Sequence, residues 1–259
     1  MTTYVNNYKP SDPLPRDLHL HTPPEEYDFN SCFPVVLLRS DRVELRPYVP
    51  SLHAQLLLDG ILENPEIDDY LTTSFKELND VLVWSETVCR LPISSLFYAI
   101  YTDQPGPDTP PTDPKDYVFA GVFGQINSSV PNATSEPGWI RIMKPFQRTH
   151  VLTHAAGLLM HRILDASSEG GLGLRRCQWL TTTLNMASQN AALRLGYKFE
   201  GVLRGVVVLP EGKKGVREGR KGEQDEKQMT RDTWVASIQW EEWEGGVREH
   251  VDKLMARRK

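Results

Sequence analysis

The sequence predicts a mixed α/β (α+β) protein, in which helices pack against one central sheet. Apolar stretches of strand length alternate with stretches of helical periodicity, and loops rich in glycine and proline separate them. The predicted order is strand, helices, strand hairpin, strand, helix, strand, helix and two strands. With 259 residues, of which 39% are hydrophobic and 24% charged, the chain can bury one substantial core.

Proline content and hydropathy organise the first half of the chain. Residues 1–30 contain many prolines and no periodicity, so we expect an arm that is disordered or packed on the domain. Alternating residues then indicate strands at 35–39 and 43–46. Ser51 is placed to cap a helix that continues to Leu62. A second helix over 75–90 and strands over 96–101, 117–126 and 138–143 follow, with an inflated loop at 103–116.

The second half begins with a long amphipathic helix, predicted over residues 150–166. Its apolar stripe consists of Leu152, Ala155, Leu159 and Ile163, and three glycines follow its end. Further elements are strands at 176–182, 197–209 and 233–238, a short helix at 188–195, a charged, solvated and mobile loop at 211–229, and a C-terminal helix within 246–259.

Charge, cysteine content and hydropathy exclude several classes of protein. A net charge of -5 gives no reason to expect nucleic acid as a partner. Cys32, Cys89 and Cys177 are scattered without a CxxC pair, so we expect reduced cysteines and no metal. The sequence contains neither a signal peptide nor an apolar stretch that could cross a bilayer. A cytoplasmic protein with a small-molecule or peptide partner is expected.

The start of the long helix is a candidate anion site. The first amide groups of a helix have no intrahelical acceptor and lie at the positive end of its dipole. Arg148 would add a fixed charge there, and Thr149 and Thr153 would add hydroxyl groups. The alternative is an ordinary helix start capped by Thr149, since threonine is a common capping residue.

Two segments together resemble one enzyme family. The segment 144–156, Lys-Pro-Phe-Gln-Arg-Thr-His-Val-Leu-Thr-His-Ala-Ala, resembles the acyl-CoA pyrophosphate loop of GNAT acetyltransferases of the RimJ/RimL-like branch. The segment 185–204 is similar to that branch's Asn-x-x-Ser helix, Leu-Gly-aromatic turn and Glu-Gly-x-x-Arg strand. The resemblance implies a GNAT fold over residues 31–245, with a mostly antiparallel central sheet, flanking helices and insertions at 103–116 and 211–229.

The resemblance also implies a binding site for acetyl-CoA and no metal. The sequence departs from the family at Val151 and Thr153, where many members have glycine, and at Ala192, where many have a catalytic tyrosine. Asn185 and Asn190 match positions that contact the pantetheine arm, although Asn185 could equally serve as a local cap. The implied cofactor-binding residues are Met143, Gln147, Arg148, Thr149, His150, Val151, Leu152, Thr153, Asn185 and Asn190.

Two residues are candidates for the catalytic chemistry that the resemblance implies. Ser188 could protonate the departing thiolate, cap the short helix, or do both. Glu136 could act as the base, directly or through water, or be an exposed carboxylate in a turn beside Pro137. An amide of the strand near Met143 would stabilise the oxyanion.

Other polar residues are expected to have structural roles. Glu200 and Asp232 are interpreted as structural carboxylates, with Asp232 paired to Arg204. Tyr197 is expected in the core, and His154 is expected to face solvent because helical periodicity does not require it to point inward.

The favoured function is transfer of acetyl from acetyl-CoA to a primary amine, by direct attack. The acceptor would be a small molecule or the N-terminus of a peptide or protein, and the enzyme a monomer or homodimer. The alternative is a non-catalytic acyl-CoA-binding or scaffold protein that retains the fold.

Overall fold

The computed structural model describes residues 4–10, 12–103 and 113–258, so most of the inflated loop predicted at 103–116 lies outside the described residues. Nine strands in the described part form one sheet with the order β1-β2-β3-β4-β5-β6-β9-β7, and β8 pairs with β9. The strands are β1 Leu38–Arg39, β2 Val43–Pro47, β3 Leu96–Thr102, β4 Val118–Ser129, β5 Thr134–Ile142, β6 Arg176–Thr182, β7 Lys198–Val208, β8 Arg217–Glu218 and β9 Met229–Gln239.

Helices cover both faces of the sheet. On one face Trp84 of the second helix meets Phe97 of β3 edge to face, with ring centroids 5.1 Å apart. On the other face the indole of Trp179, on β6, donates to Ser188 of the fourth helix. The helices are α1 Pro50–Glu63, α2 Leu78–Trp84 with a π-helical continuation Ser85–Arg90, α3 Val151–Leu164, α4 Met186–Arg194, α5 Trp240–Glu242 and α6 Arg248–Met255.

The sheet opens between β5 and β6. These strands are its one parallel neighbour pair among the described residues, and they pair only at Thr134 with Arg176 and Ser135 with Cys177. Beyond those pairs the strands diverge, so residues 136–142 and 178–182 border an opening, which we call the β5–β6 gap. Because α3 follows β5 and α4 follows β6, both helices begin at the wide end of this gap.

Two predicted strand boundaries change in the structure. The predicted strand at 35–39 is reduced to Leu38–Arg39. The strand predicted at 138–143 begins four residues earlier, at Thr134, because Pro137 does not end it. Proline is tolerated where a strand has no neighbour on one side, and β5 has lost β6 at this point. Glu136 therefore lies within a strand, and its expected alternative as an exposed turn carboxylate is wrong.

The N-terminal arm packs along α1 and α2. The amide of Asn30 donates to the carbonyl of Arg90 at 2.9 Å, and Arg16 pairs with Glu77 at 3.2 Å. Ser51 does not cap α1, which begins at Pro50; its hydroxyl donates to the carbonyl of Thr22 at 2.7 Å. The expectation for Ser51 was wrong because Val49 is the N-cap of α1, so Ser51 lies inside the first turn.

A buried ion pair ties the segment between α1 and α2 to β5. The Arg141 Nε donates to the Asp68 carboxylate at 2.7 Å, and both side chains are almost fully buried. The Arg141 guanidinium also donates to Thr73 and lies over the ring of Trp84, 5.0 Å from its centroid. This cluster holds Pro65–Asp68, a 3-10 turn, over the face of the sheet that α2 covers.

We predict that Asp68→Ala will lower the free energy of unfolding by about 3–5 kcal/mol, because it leaves a buried guanidinium without its counter-charge. Denaturant unfolding followed by circular dichroism measures this change. Asp69→Ala is the matched control, since Asp69 is exposed and should change stability by less than about 0.5 kcal/mol. Equal effects of the two substitutions would contradict the assigned role of the pair.

Candidate functional site

The edge of β5 supplies backbone groups to the β5–β6 gap. The Met143 N–H donates to the carbonyl of Ala120 at 2.9 Å, so it belongs to the ladder with β4. Successive peptide groups of a strand point in opposite directions, so the N–H and C=O of Ile142 point into the gap. The side-chain amide of Gln147 donates to that carbonyl at 3.0 Å. The strand amide available near Met143 is therefore the N–H of Ile142, and the Met143 amide is not free to act.

A β-bulge shapes the same strand. Val122 pairs with Arg141 and Gly124 with Gly138, so Trp139 and Ile140 together lie opposite Phe123. Trp139 has φ 53°, in the left-handed region that a bulky residue rarely adopts. A bulge shifts the alternation by one residue. Glu136 and Arg141 consequently lie on the same face of the sheet.

The loop before α3 combines a backbone turn with an exposed cation. The hydroxyl of Thr149 donates to the carbonyl of Phe146 at 2.7 Å and accepts from the N–H of Val151 at 3.3 Å. Arg148 has φ 61°, and its side chain is exposed beside the helix start. Thr149 thus orders the loop, although His150, and not Thr149, is the N-cap of α3, and the exposed side chain of Arg148 can meet an anion.

The remaining α3 residues that the resemblance implied contribute mainly through the backbone. Val151 is fully buried and its N–H donates to Thr149, and Leu152 is half-buried, so the N–H of Leu152 is the group of these two residues that can face a ligand. The ring of His150 lies 3.0 Å from the Thr102 hydroxyl, at the end of β3. The hydroxyl of Thr153 accepts from Arg194 at 3.0 Å, which links the start of α3 to the end of α4.

Asn185 is the cap of α4. Its side-chain oxygen accepts from the N–H of Ser188 at 3.0 Å, so the capping role considered for Ser188 belongs to Asn185. The Ser188 oxygen instead accepts from the indole N–H of Trp179 at 3.0 Å. That contact leaves the hydroxyl proton of Ser188 available to another acceptor. Asn190 is exposed on the same helix.

Glu136 is a buried carboxyl at the narrow end of the gap. It is 3% exposed and accepts from the amides of Asn127 at 2.9 Å and Gln178 at 3.1 Å. Burial raises the pKa of Glu136 to about 7, while the two amides and the charge of Arg231 partly oppose this shift. A carboxyl with this pKa exchanges a proton readily near neutral pH.

Glu136 and Ser188 lie on opposite faces of the sheet. Gln178 contacts Glu136, whereas the next residue along β6, Trp179, contacts Ser188. Adjacent side chains of a strand point to opposite faces. A group held in the gap would therefore have the carboxyl on one side and the hydroxyl on the other.

Sequence reasoning was wrong about two polar side chains and correct about two others. His154 is 1% exposed, because α3 turns it towards Ser40, whose hydroxyl lies 2.9 Å from its ring. Asp232 pairs with Arg217 of β8, and not with Arg204. Glu200 is structural, since it accepts from Arg176 and from Ser237. Tyr197 is buried, with its hydroxyl 3.0 Å from the Cys177 sulfur, as predicted.

One contributor was missed from the sequence. The side-chain amide of Gln189 donates to the carbonyls of Thr182 and Thr183, at 3.3 and 3.0 Å. It therefore fastens the start of α4 to the end of β6, at the wide end of the gap. A glutamine in the first turns of a helix gives no signal of this contact, because both acceptors are backbone groups.

Comparison with solved structures identifies the architecture. A probable acetyltransferase of the GNAT family from Chromobacterium violaceum matches with a TM-score of 0.64 and 22% identity, over 93% of this chain and 100% of that chain. A GCN5-related N-acetyltransferase from Brucella melitensis matches with a TM-score of 0.66 and 22% identity, over 86% of this chain and 87% of that chain. The chain has the GNAT fold.

The likeness to GNAT structures extends to the branch named from sequence. Mycobacterium smegmatis RimJ, solved in complex with CoA-disulfide, matches with a TM-score of 0.57 and 15% identity, over 85% of this chain and 93% of that chain. No family model matches the sequence, and no curated protein matches it either. At these identities the comparisons establish the GNAT fold, which confirms the predicted fold class.

Two structural features are absent from the described residues. None of the helices in that part of the chain combines the length and apolarity that a membrane span requires. The same residues contain no group of three or more histidine, cysteine, aspartate or glutamate side chains placed to hold a metal ion.

The raised pKa of Glu136 predicts a pH dependence of stability. From pH 4.5 to about 7 the unfolded chain ionises this carboxyl while the folded chain keeps it protonated, so the stability that it contributes is lost as pH rises. Relative to Glu136→Gln, the wild type should lose about 3 kcal/mol across this window. Denaturant unfolding of both proteins at several pH values measures the difference. Parallel stability curves would contradict the assigned pKa.

Proposed function

We propose that this chain is an acetyl-CoA-dependent N-acetyltransferase of the RimJ/RimL-like branch, which transfers acetyl to a primary amine by direct attack. The observation that supports this most strongly is the arrangement of Glu136 and Ser188 on opposite faces of the β5–β6 gap. Transfer from a thioester to an amine needs a proton acceptor on the side of the amine and a proton donor on the side of the sulfur. The gap has one of each.

The wide end of the gap has the chemistry to hold a diphosphate. The N–H groups in the first turn of α3 point outward from a helix start, and Arg148 adds an exposed positive charge. The exposed amide of Asn190 could meet the amides of a pantetheine arm. Acetyl-CoA would supply the thioester, and these residues would orient it along the gap.

Residues at both ends of the gap perform the proton transfers in this proposal, with Glu136 at the narrow end and Ser188 on α4, which begins at the wide end. Glu136 accepts a proton from the acceptor ammonium, and its pKa of about 7 suits this role near neutral pH. The N–H of Ile142 donates to the carbonyl oxygen as negative charge develops on it. Ser188 then donates its hydroxyl proton to the sulfur that leaves. Nitrogen gains the acetyl group as the carbon–sulfur bond breaks and loses its second proton to solvent, which returns a proton to the Ser188 oxygen.

A non-catalytic acyl-CoA-binding protein is the second candidate. Val151 and Thr153 replace glycines that allow close approach to phosphate, and the buried Ala192 stands where many relatives have a tyrosine acid. Release of CoA from acetyl-CoA in the presence of a mixed panel of amines distinguishes the candidates. Amine-dependent release supports the enzyme, whereas binding without release on any amine would favour the second candidate.

We expect Arg148→Ala to weaken acetyl-CoA binding by about 1.5–3 kcal/mol, the size of a hydrogen bond to a charged group. Alanine retains the β-carbon, so the positive φ of this residue costs both proteins a similar strain. Isothermal titration calorimetry measures the dissociation constant, with Arg220→Ala as a control at an exposed arginine. An unchanged dissociation constant in Arg148→Ala would remove this residue from the site.

Glu136→Gln should lower the turnover number roughly 10²- to 10⁴-fold, because an amide cannot accept the proton. In the wild type the rate should rise with pH up to about 7 and then level off, since only the ionised Glu136 can act as the base. Steady-state kinetics from pH 5 to 9 measures both effects. Wild-type turnover by Glu136→Gln would contradict the assignment of the base.

Ser188→Ala should lower turnover with little change in acetyl-CoA affinity. The substitution also leaves the buried indole N–H of Trp179 without a partner, which costs about 1–3 kcal/mol of stability. Adding Ser188→Ala to a Trp179→Phe background separates the two effects, because that background has no indole N–H to satisfy. In the Trp179→Phe background, Ser188→Ala should still lower turnover while the free energy of unfolding changes little. If turnover did not change, Ser188 would have a structural role only.

A further inference from the structure

We propose that the acceptor amine carries an anionic oxygen group, a carboxylate or a phosphate, and that Arg231 binds this group while the amine meets Glu136. This inference rests on the proposed acetyl transfer and names the class of acceptor. Its basis is an arginine on the Glu136 face that has no acidic partner among the described residues.

Strand register places Arg231 on the face where Glu136 lies. Gln178 pairs with Ser237, and Thr182, the last residue of β6, pairs with Thr233. Gln178 contacts Glu136, and alternate residues of a strand share a face. Arg231 lies two residues before Thr233 on β9, past the end of β6. Its side chain is therefore beside the wide part of the gap, on the side from which an acceptor would approach.

The guanidinium of Arg231 is oriented but not neutralised. Its Nε donates to the Thr233 hydroxyl at 3.1 Å, which fixes the plane of the group. Across residues 4–10, 12–103 and 113–258 its two terminal nitrogens have no hydrogen-bond partner, and no carboxylate lies within 4.0 Å of them. Neither nitrogen is sealed from solvent, although the residue is half-buried. A planar guanidinium whose two terminal nitrogens lack partners in those residues can donate to two oxygens of a carboxylate or a phosphate.

Other arginines of the described chain lie against a carboxylate. Arg217 pairs with Asp232, and Arg141 pairs with Asp68. Burial lowers the pKa of Arg231, and the charge of Glu136 partly opposes the shift. A partly desolvated cation without an anion costs free energy. A substrate anion would offset that cost.

The connection between β7 and β9 limits the size of the acceptor. The Lys213 ammonium donates to the backbone carbonyl of Asp68, whose carboxylate binds Arg141 of β5. Because β7 and β9 lie beyond β6 from β5, this connection crosses the gap on the face of Glu136. A compact acceptor fits below such a crossing better than the terminus of a folded protein.

The experiment compares matched acceptors that differ only in the anion. Amino acids are compared with their carboxamides, and phosphoethanolamine with ethanolamine, by kcat/KM for CoA release. The wild type should prefer the anionic member of at least one pair roughly 10- to 100-fold. Arg231→Gln should bring that ratio close to one by lowering the rate with the anionic acceptor alone, and Arg231→Lys should restore part of the preference. Arg204→Gln, at an exposed arginine of β7, should leave the ratio unchanged.

The outcomes separate this inference from the proposed function. Release without a preference for either anion, or a preference that Arg231→Gln leaves intact, overturns the inference and leaves acetyl transfer standing. Arg231→Gln could instead lower kcat/KM equally for both members of a pair and shift the midpoint of the pH–rate profile upward. That result would show that Arg231 acts only on the pKa of Glu136, and it would also overturn the inference. No release with any amine contradicts the proposed function and the inference together. The pair of acceptors that shows the preference identifies the bound anion as a carboxylate or as a phosphate.

Discussion

The early divergence of two parallel strands is the constraint on which the site depends. After Ser135 and Cys177 the strands β5 and β6 no longer pair, so in the described residues the sheet has two interior edges that face each other without backbone hydrogen bonds between them. Unpaired strand edges in a protein interior are costly unless another group satisfies them. In the proposed function an extended ligand with amide groups satisfies these edges, and it enters at the starts of α3 and α4. The buried pair of Arg141 and Asp68 holds the α1–α2 segment against one side of the gap.

The fold was largely predictable because its elements follow local patterns. The strand at 176–182 was predicted with its exact bounds, and α1, α3 and α4 within two residues at each start, since periodicity and glycine positions mark them. Where prediction failed, a long-range contact overrode a local signal. Pro137 suggested a turn, yet β5 continues through it. Ser51 suggested a cap, yet α1 begins at Pro50 and the Ser51 hydroxyl donates to the carbonyl of Thr22 in the arm.

The site was only partly predictable, because its chemistry depends on which face a side chain occupies. The segments 144–156 and 185–204 identified the two helix starts that flank the gap. Burial of Glu136 and its raised pKa depend on packing between β4, β5 and β6, which no local pattern encodes. The same holds for Ser188, whose contact with Trp179 replaced the expected cap. Arg231 could not be singled out from the sequence, because only the three-dimensional structure shows that no acidic side chain of the described residues pairs with it.

A crystal structure of the protein with acetyl-CoA tests the central claim most directly, since that claim concerns where the ligand lies. The account predicts that the pantetheine arm lies in the β5–β6 gap and that the thioester carbonyl oxygen is within hydrogen-bond distance of the Ile142 N–H. It also predicts the diphosphate at the first turn of α3 beside Arg148. Density for acetyl-CoA outside the gap, with β5 and β6 unoccupied between them, would contradict the account.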